Sequence, residues 1–282
     1  MAKKLAIFLN YLNNLDFIIY FILYYKYDII TRESRKQMNN LENLVKNLNV
    51  IYEDNHILVV EKIVRVPMQQ DKSGDISMID VVREYIRVKY NKPGNVYVGM
   101  VHRLDRMVGG VCVFAKTSKA MSRLSAYVRE REIKKRYIAI LNGTLKEKEG
   151  TIENYLVKNE RINMSKVCDK KTKGAKEAKL QYKVQEYITI NNKPYTVVKV
   201  NLLTGRHHQI RVQFSNLGYP LYGDQKYGQK INKVGQNLAL YSYYLSFPHP
   251  TKDEYLEYIN YPVNKDVFSN IDFTKYKEEI WI

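Results

Sequence analysis

The sequence predicts an α+β fold built on a central sheet that is mixed or largely antiparallel. Short apolar runs of strand type recur along the chain, and the helical patterns between them do not alternate regularly, as they would in a doubly wound fold. Hydrophobic residues make up 45% and charged residues 27% of the 282 residues. This composition is typical of a globular protein with a sizeable core.

The strands are predicted from apolar or alternating runs that end at turn-forming residues. They lie at 51–61, where the turn-prone pair 54–55 separates two short strands, and at 96–101, 111–115, 136–141, 179–186 and 195–202. In the run 179–186, Leu180, Tyr182 and Val184 share one face, and Asn191-Asn192 marks the turn before the next strand. The rest of the chain is expected to mix strands with glycine- and proline-rich turns.

Two helices are predicted between these strands, each starting at a serine that can cap its first turn. Ser77 begins the first, which runs to Tyr90, and Ser118 begins the second, which runs to Arg131. Their apolar faces consist of Ile79, Val82 and Ile86 in the first helix and of Met121, Leu124 and Val128 in the second.

The charge of the chain is strongly positive, because 46 Lys and Arg residues outnumber 29 Asp and Glu residues to give a net charge of +17. This balance predicts attraction to a polyanion, either a nucleic acid or an acidic membrane surface, with a merely soluble basic protein as the alternative. Cys112 and Cys168 have no zinc-type spacing, so free thiols in a reducing cytoplasm are expected.

Residues 1–45 form an apolar, aromatic extension ahead of the main domain at 46–282. Its uninterrupted apolar stretch, at 17–25, is shorter than the roughly 20 residues that cross a bilayer, so this stretch is not expected to span a membrane. Three interpretations are open: an amphipathic helix on the protein body, a weak membrane-surface anchor, or sequence upstream of a start at Met38. We favour the third.

The densest chemistry lies in the loop 102–106, His-Arg-Leu-Asp-Arg, between two apolar strands. The two flanking arginines are expected to keep Asp105 ionised, which makes it a poor general acid but a good nucleophile or base in a dry cleft. The alternative is a structural ion pair. Gly109-Gly110 allows another backbone or a ligand to approach closely.

A second cluster, at 204–211, brings two arginines, two histidines and a glutamine to the end of an apolar strand. If that strand continues, Gln209 and Arg211 share a face, whereas His207 and His208 point to opposite faces. No carboxylate is spaced to complete a metal site with these histidines, so no metal is expected.

Together these motifs resemble the RluA/RluD-type RNA pseudouridine synthases. The resemblance rests on His-Arg-Leu-Asp at 102–105, Lys-x-Tyr at 135–137, Gly-Arg-x-His-Gln-Ile-Arg at 205–211 and Gly-x-Pro-x-x-Gly-Asp at 218–224. It extends from about residue 51 to about residue 257. It implies the pseudouridine synthase fold, a central mixed sheet flanked by helices and loops, with 46–282 as a stand-alone catalytic domain.

The resemblance implies a cofactor-free isomerase that detaches the base of a uridine within RNA, rotates it and rejoins it through ring carbon 5. Asp105 takes the place of the essential aspartate, and either attacks the anomeric carbon or removes the 2′ proton. Tyr137 is expected to stack on the uracil, with help in removing the carbon-5 proton as a second role. Arg211 is expected to pair with Asp105 and keep it ionised.

The resemblance also implies that residues around Asp105 bind the RNA. These are His102, Arg103, Leu104, Arg106, Lys135, Arg206, His208 and Gln209. Arg103 or its neighbours are expected to fill the space left by the extruded base, Arg206 to contact the backbone, and the lysine-rich run 166–179 to be solvated or to contact RNA. Ribosomal RNA is the first expected target and transfer RNA the second, with a monomer as the expected form.

Two other functions remain open at this point. A non-enzymatic RNA-binding protein could keep the same scaffold, although Asp105, Tyr137 and Arg211 argue against it. A metal-dependent nuclease could use Asp105 with His102 and His208, and its activity would be lost with a chelator. The chain departs from the family pattern at Ile63, where a proline is usual, and at Met107, changes that affect loop rigidity.

Overall fold

A computed structural model describes residues 37–277 and residue 281. The chain divides into two compact units, 1–47 and 48–282, and the described part of the first is helical over 37–46. The predicted extension at 1–45 lies largely outside the described residues, and its boundary with the domain at 46–282 stays a prediction. Within the described part of the chain, no helix combines the length and apolar character needed to cross a membrane.

The second unit is built on one extended sheet, which in the described residues has the strand order β1-β2-β4-β10-β5-β9-β8-β6-β7. Strand β3 pairs with β4, and β11 pairs with β10. The strands are β1 Val50–Glu53, β2 Ile57–Lys62, β3 Gly99–Met100, β4 Gly109–Ala115, β5 Lys134–Asn142, β6 Glu149–Asn159, β7 Met164–Cys168, β8 Lys176–Ile190, β9 Lys193–Leu202, β10 Leu240–Pro248 and β11 Tyr255–Ile259. Among these pairings only β4 with β10 is parallel, which confirms the predicted α+β class and the mixed, largely antiparallel sheet.

In the described part of this unit, three α-helices accompany the sheet: α1 Met78–Lys89, α2 Ser118–Arg129 and α3 Gln209–Asn216. Two short 3-10 helices follow the last strand, at Asp266–Asn270 and Phe273–Lys275. Helix α1 begins as predicted, because the side chain of Ser77 accepts from the backbone of Asp80 while that of Asp80 accepts from the backbone of Ser77. Helix α2 begins one residue earlier than predicted. Thr117 is its cap, since this residue is extended and its hydroxyl accepts the Ala120 N–H at 3.2 Å.

The remaining differences from the predicted elements lie in lengths and in segments without a simple pattern. The predicted strand 96–101 is only the two-residue β3, whereas β8 extends well beyond 179–186. Helix α2 ends at Arg129, and Val128 on its predicted apolar face is 37% exposed. The prediction did not place β6, β7, β10, β11 or α3.

Gly110 allows the parallel contact between β4 and β10 that brings the site loop against the centre of the sheet. It pairs with Ser242 and has a φ of 124°, a backbone conformation that residues with a side chain rarely adopt. A Cβ at this position would lie 2.2 Å from the carbonyl oxygen of Ser242. The close approach predicted for Gly109-Gly110 is therefore confirmed, and the approaching group is backbone.

We expect Gly110→Ala to lower the free energy of unfolding by at least about 4 kcal/mol, because both the backbone conformation and the contact with Ser242 must change. Gly74→Ala is the matched control, since Gly74 also has a positive φ but a Cβ added there would have no other atom within 4 Å. Its expected cost is about 1 kcal/mol. Urea denaturation followed by circular dichroism measures both, and equal losses would contradict the role of the contact.

Candidate active site

A cavity of about 260 Å³ opens where the loop before β4, the first residues of β5 and the segment 202–211 meet. It is lined by every predicted site residue except Arg106. The volume falls just below the roughly 300–1,000 Å³ of drug-sized ligand pockets, so the cavity suits one nucleoside rather than a stretch of duplex.

Asp105 lies in this cavity with donors on both carboxylate oxygens. Its Oδ2 accepts from Arg211 Nη1 at 2.5 Å and lies 3.1 Å from His208 Nε2, and its Oδ1 accepts from the Met107 N–H at 3.1 Å. Burial alone would raise the pKa of Asp105, but the His208 hydrogen bond and the Arg211 charge hold it well below its usual value. The group is therefore a carboxylate throughout the neutral range.

Arg211 holds Asp105 from helix α3 and is itself held by Asp224. Its Nε and Nη2 donate to the two Asp224 oxygens at 2.8 and 2.6 Å, while Asp224 is fully buried. Burial opposes the charge, but the two carboxylates raise the pKa of Arg211 above its usual value. The Asp105–Arg211 pair expected from the motifs is present in the structure, with a second anion completing the cluster.

The arginines that flank Asp105 in sequence do not pair with it. Arg106 turns away from the cavity, where its Nε donates to the Arg65 carbonyl at 3.0 Å and its guanidinium pairs with Asp75. The prediction that Arg106 binds substrate is not supported, because these loop contacts engage its donors. The other flanking residue, Arg103, is exposed and lines the cavity. The ionised state of Asp105 thus comes from Arg211 and His208.

The histidine pair was predicted on a strand but lies at the start of α3. His208 has a φ of 54°, in the left-handed region, and the rings of His207 and His208 stack with centroids 3.7 Å apart. Because the chain turns here instead of extending, the two rings do not point to opposite faces. His208 thereby reaches Asp105, which no strand geometry would predict.

Gln209 lines the cavity, and its role in binding substrate stays a prediction. It is buried, and its Oε1 accepts from Thr204 Oγ1 and from the Arg206 N–H, both at 2.9 Å. Its Nε2 donates to the Lys179 carbonyl at 3.2 Å. With its amide engaged by protein groups, Gln209 braces the turn 204–206 that forms one wall of the cavity.

Strand β5 contributes Lys135 and Tyr137, which lie two residues apart and so share a face of the strand. Burial raises the pKa of Tyr137, although a hydrogen bond with Ser242 opposes the shift. Burial lowers the pKa of Lys135. No hydrogen bond or ion pair engages the side-chain nitrogen of Lys135 within the described part of the chain, which leaves a hydrogen-bond donor available to a ligand.

His102 provides a second available donor. Its Nε2 accepts from the Val113 N–H at 3.4 Å, whereas its buried Nδ1 has no partner among the described residues. Burial, with the nearby Lys135 charge, lowers the pKa of His102 to about 3, so the ring is neutral. An accepting Nε2 places the ring hydrogen on Nδ1.

Three supporting residues have no role in the sequence interpretation: Lys62, Asp224 and Tyr227. Lys62 is fully buried, and its ammonium donates to the carbonyls of Ile63 and Arg106, each at 3.0 Å. Burial lowers its pKa to about 8. Asp224 is the last residue of the motif at 218–224, which could have identified it as a site residue. Tyr227 lies outside the motifs, so nothing in them indicated its role. Among the described residues, no group of three or more His, Cys, Asp or Glu side chains could hold a metal ion.

The chain shares its fold with enzymes that modify RNA. The family described as RNA pseudouridylate synthase matches residues 56–216. An uncharacterised RNA pseudouridine synthase of Aquifex aeolicus is 33% identical over 74% of this chain and 67% of its own length. The ribosomal large subunit pseudouridine synthase C of Buchnera aphidicola subsp. Baizongia pistaciae is 30% identical over 79% of this chain and 70% of its own.

A solved structure agrees with these sequence matches. The human RNA pseudouridylate synthase domain containing 1 superposes with a TM-score of 0.63 and 27% identity, over 77% of this chain and 84% of that one. The chain belongs to the RNA pseudouridylate synthase family. It is an RNA pseudouridine synthase, an isomerase, as the motifs predicted.

We expect Asp224→Asn to lower the free energy of unfolding by about 3–5 kcal/mol, because Arg211 then keeps a buried charge with one anionic partner fewer. Asp253→Asn is the matched control, since Asp253 is exposed, and it should change stability by less than about 0.5 kcal/mol. Urea denaturation measures both variants. Similar midpoints for the two would mean that Asp224 does not hold the cluster.

A neutral, buried His102 makes the protein sensitive to acid. Its folded pKa of about 3 lies below the unfolded value, so the stability that it contributes is complete above about pH 6.5 and is lost as pH falls towards 3. Between pH 7 and pH 5 the loss amounts to about 2 kcal/mol.

His102→Gln should therefore lose less stability than the wild type over the same pH interval, by about that 2 kcal/mol. Urea unfolding of the wild type and the variant at pH 7 and at pH 5 gives the four free energies of unfolding that the comparison needs. The same pH dependence in both proteins would show that His102 is solvated or charged in the folded state.

Proposed function

We propose that this enzyme converts a specific uridine of ribosomal RNA to pseudouridine, with Asp105 as the catalytic nucleophile or base; transfer RNA is the second candidate target. The observation that carries the proposal is the ionised Asp105 at a nucleoside-sized cavity, held by Arg211 and His208. Several relatives named ribosomal large subunit pseudouridine synthase C, at about 30% identity, support the choice of ribosomal RNA.

Two routes are open to Asp105. In the first, a carboxylate oxygen bonds to the anomeric carbon as the bond to ring nitrogen 1 breaks. Ring carbon 5 of the rotated uracil then displaces the carboxylate. In the second, the carboxylate removes the 2′ proton as the same glycosidic bond breaks, and returns that proton when carbon 5 bonds to the sugar. In both, carbon 5 finally loses its proton and nitrogen 1 gains one.

The proposed role of Tyr137 is to stack on the uracil. Its raised pKa keeps the hydroxyl protonated, and that hydroxyl already bonds to Ser242. A protonated phenol is a poor base, so the ring face of Tyr137 is the part that this site offers to a base. The carbon-5 proton is therefore removed by another group, one with an acceptor atom that is free to take a proton.

Lys135 and His102 are proposed to bind oxygen atoms of the extruded nucleotide. The Lys135 side-chain nitrogen and the His102 Nδ1–H are both unengaged donors of the cavity lining within the described part of the chain, and donors left unpaired in a buried site favour a ligand with acceptor oxygens. Arg103 is exposed at the same cavity and is proposed to fill the space that the extruded base leaves in the RNA.

A basic surface beside the cavity is proposed to bind the RNA backbone. Strand β7 adjoins α3 through Ser165 Oγ and His207 Nδ1, 2.9 Å apart, and the lysine-rich turn follows directly. Its exposed lysines are Lys166, Lys170, Lys171, Lys173 and Lys176. Phosphate contacts of this kind weaken steeply with salt. The free cysteines fit the proposed cytoplasmic setting, and the proposed form is a monomer that needs no cofactor.

Tritium release from carbon-5-labelled uridine tests the proposal on separated large-subunit ribosomal RNA and transfer RNA, with chelator present. We expect release from ribosomal RNA, and Asp105→Asn should reduce it by at least about a thousandfold because the amide is neither nucleophile nor base. Asp253→Asn, at an exposed position, is the control and should match the wild type.

The other outcomes are also informative. Release from transfer RNA alone would replace the proposed substrate but keep the role of Asp105. Full activity of Asp105→Asn would remove that role. Strand cleavage in a parallel assay without chelator, absent when chelator is added, would favour a metal-dependent nuclease.

A further inference from the structure

Asp105 stands at the end of a chain of hydrogen bonds that begins on β7. The Ser165 N–H donates to the Tyr227 hydroxyl oxygen at 2.8 Å, and that oxygen lies 2.8 Å from His208 Nδ1. On the other side of the ring, His208 Nε2 lies 3.1 Å from Asp105 Oδ2. Tyr227 itself lines no part of the cavity, and the hydrogen-bond path from its hydroxyl to Asp105 runs through His208.

The donors in this chain have one consistent direction. A backbone N–H can only donate, so the Tyr227 oxygen accepts from Ser165 and its own O–H is left to donate to His208 Nδ1. A neutral imidazole that accepts at Nδ1 carries its hydrogen on Nε2. That hydrogen then points to the ionised Asp105, which can only accept.

The surroundings of His208 keep the ring neutral. Burial lowers its pKa, Asp105 opposes that shift, and the charges of Arg211 and Lys226 add to it; His207 stacks on the ring. An Nδ1–H would donate to the Tyr227 oxygen, which already accepts from the Ser165 N–H. The Tyr227 O–H would then have no acceptor among the described residues. Neutral His208 therefore agrees with both the hydrogen bonds and the local charges.

The neutral ring matters for the charge of the site. Arg211 is shared between Asp105 and Asp224, so these three ionised groups carry one net negative charge. A protonated His208 would cancel that charge and weaken Asp105 as a nucleophile or base. A neutral N–H orients the carboxylate without cancelling its charge.

We propose that Tyr227 is a positioning residue, which holds His208 as the neutral Nε2–H tautomer and through it orients Asp105. The proposal rests on the proposed function, because it assigns the group that prepares Asp105 for its chemistry. Tyr227 suits this role because its backbone is fixed. Its N–H donates to Asp224 Oδ1 at 3.0 Å, and its carbonyl accepts from Ser215 Oγ at 2.8 Å.

Tyr227→Phe removes the hydroxyl and keeps the ring, which lies 5.2 Å from the Arg211 guanidinium, and both backbone contacts. We expect the kcat for tritium release to fall about tenfold at pH 7, with KM nearly unchanged. The acidic limb of the kcat profile should move to higher pH, because His208 then accepts a proton more readily.

A double-mutant cycle tests whether Tyr227 acts through His208. In His208→Gln, whose amide can donate to Asp105 without titrating, adding Tyr227→Phe should cost no further activity. Tyr187→Phe is the matched control. The Tyr187 hydroxyl also makes a hydrogen bond, to the Leu145 carbonyl at 3.0 Å. In the sheet, Tyr187 pairs with Thr196, which lies far along β9 from the cavity residue Leu202.

Nitrogen-15 NMR of labelled histidine separates this inference from the proposed function, since it needs no RNA. His208, assigned with His208→Gln, should show a neutral Nε2–H ring in the wild type at pH 7 and a raised pKa in Tyr227→Phe. An Nδ1–H or charged ring in the wild type overturns the proposal, as does wild-type kcat in Tyr227→Phe. A wild type that shows the expected ring but releases no tritium from any RNA would refute the proposed function alone.

Discussion

The buried cluster of Asp105, Arg211 and Asp224 is the interaction on which the site depends. Placing three charges in a largely dry environment costs free energy, which their mutual attraction offsets only when every donor and acceptor is matched. Here the guanidinium donates to both carboxylates, and the second oxygen of Asp105 accepts a backbone N–H. Removal of Arg211 leaves two buried carboxylates without their counter-charge, and removal of either carboxylate leaves part of the guanidinium without its acceptor. The geometry of Asp105 is therefore fixed by the stability of the whole cluster.

The backbone around the cluster is also held in place, by contacts from a small number of residues. Lys62 donates to the carbonyl of Arg106, the residue after Asp105, and Gly110 permits the backbone contact with Ser242 a few residues later. The Arg106 side chain then ties the same loop to Asp75. The loop that carries Asp105 has little regular structure of its own, and these contacts supply the rigidity that a helix or strand would otherwise give.

The sequence predicts a secondary-structure element well where residues within that one segment determine it. Helix α1 was predictable because Ser77 and Asp80 form its cap within a single turn. Helix α3 was not, because residues 209–214 are all buried, which leaves no alternation of polar and apolar faces, and because a left-handed residue begins it. The pair of Asp105 with Arg211 followed from the motifs, whereas Tyr227 and Lys62 act through tertiary contacts that no spacing reveals. Arg106 misled the interpretation because adjacency in sequence does not ensure contact in a loop.

The same cluster has a consequence for how the protein folds. Asp105 and Arg211 are 106 residues apart in the chain, and the strand that supports the Asp105 loop, β4, is completed by β10, whose Ser242 lies 131 residues beyond Val111. Contacts so distant in sequence form slowly, after the local hairpins such as β6–β7 and β8–β9. A partly folded chain therefore forms β7 and β8, the strands on either side of the lysine-rich turn proposed to contact RNA, before the carboxylate proposed to be catalytic is in place.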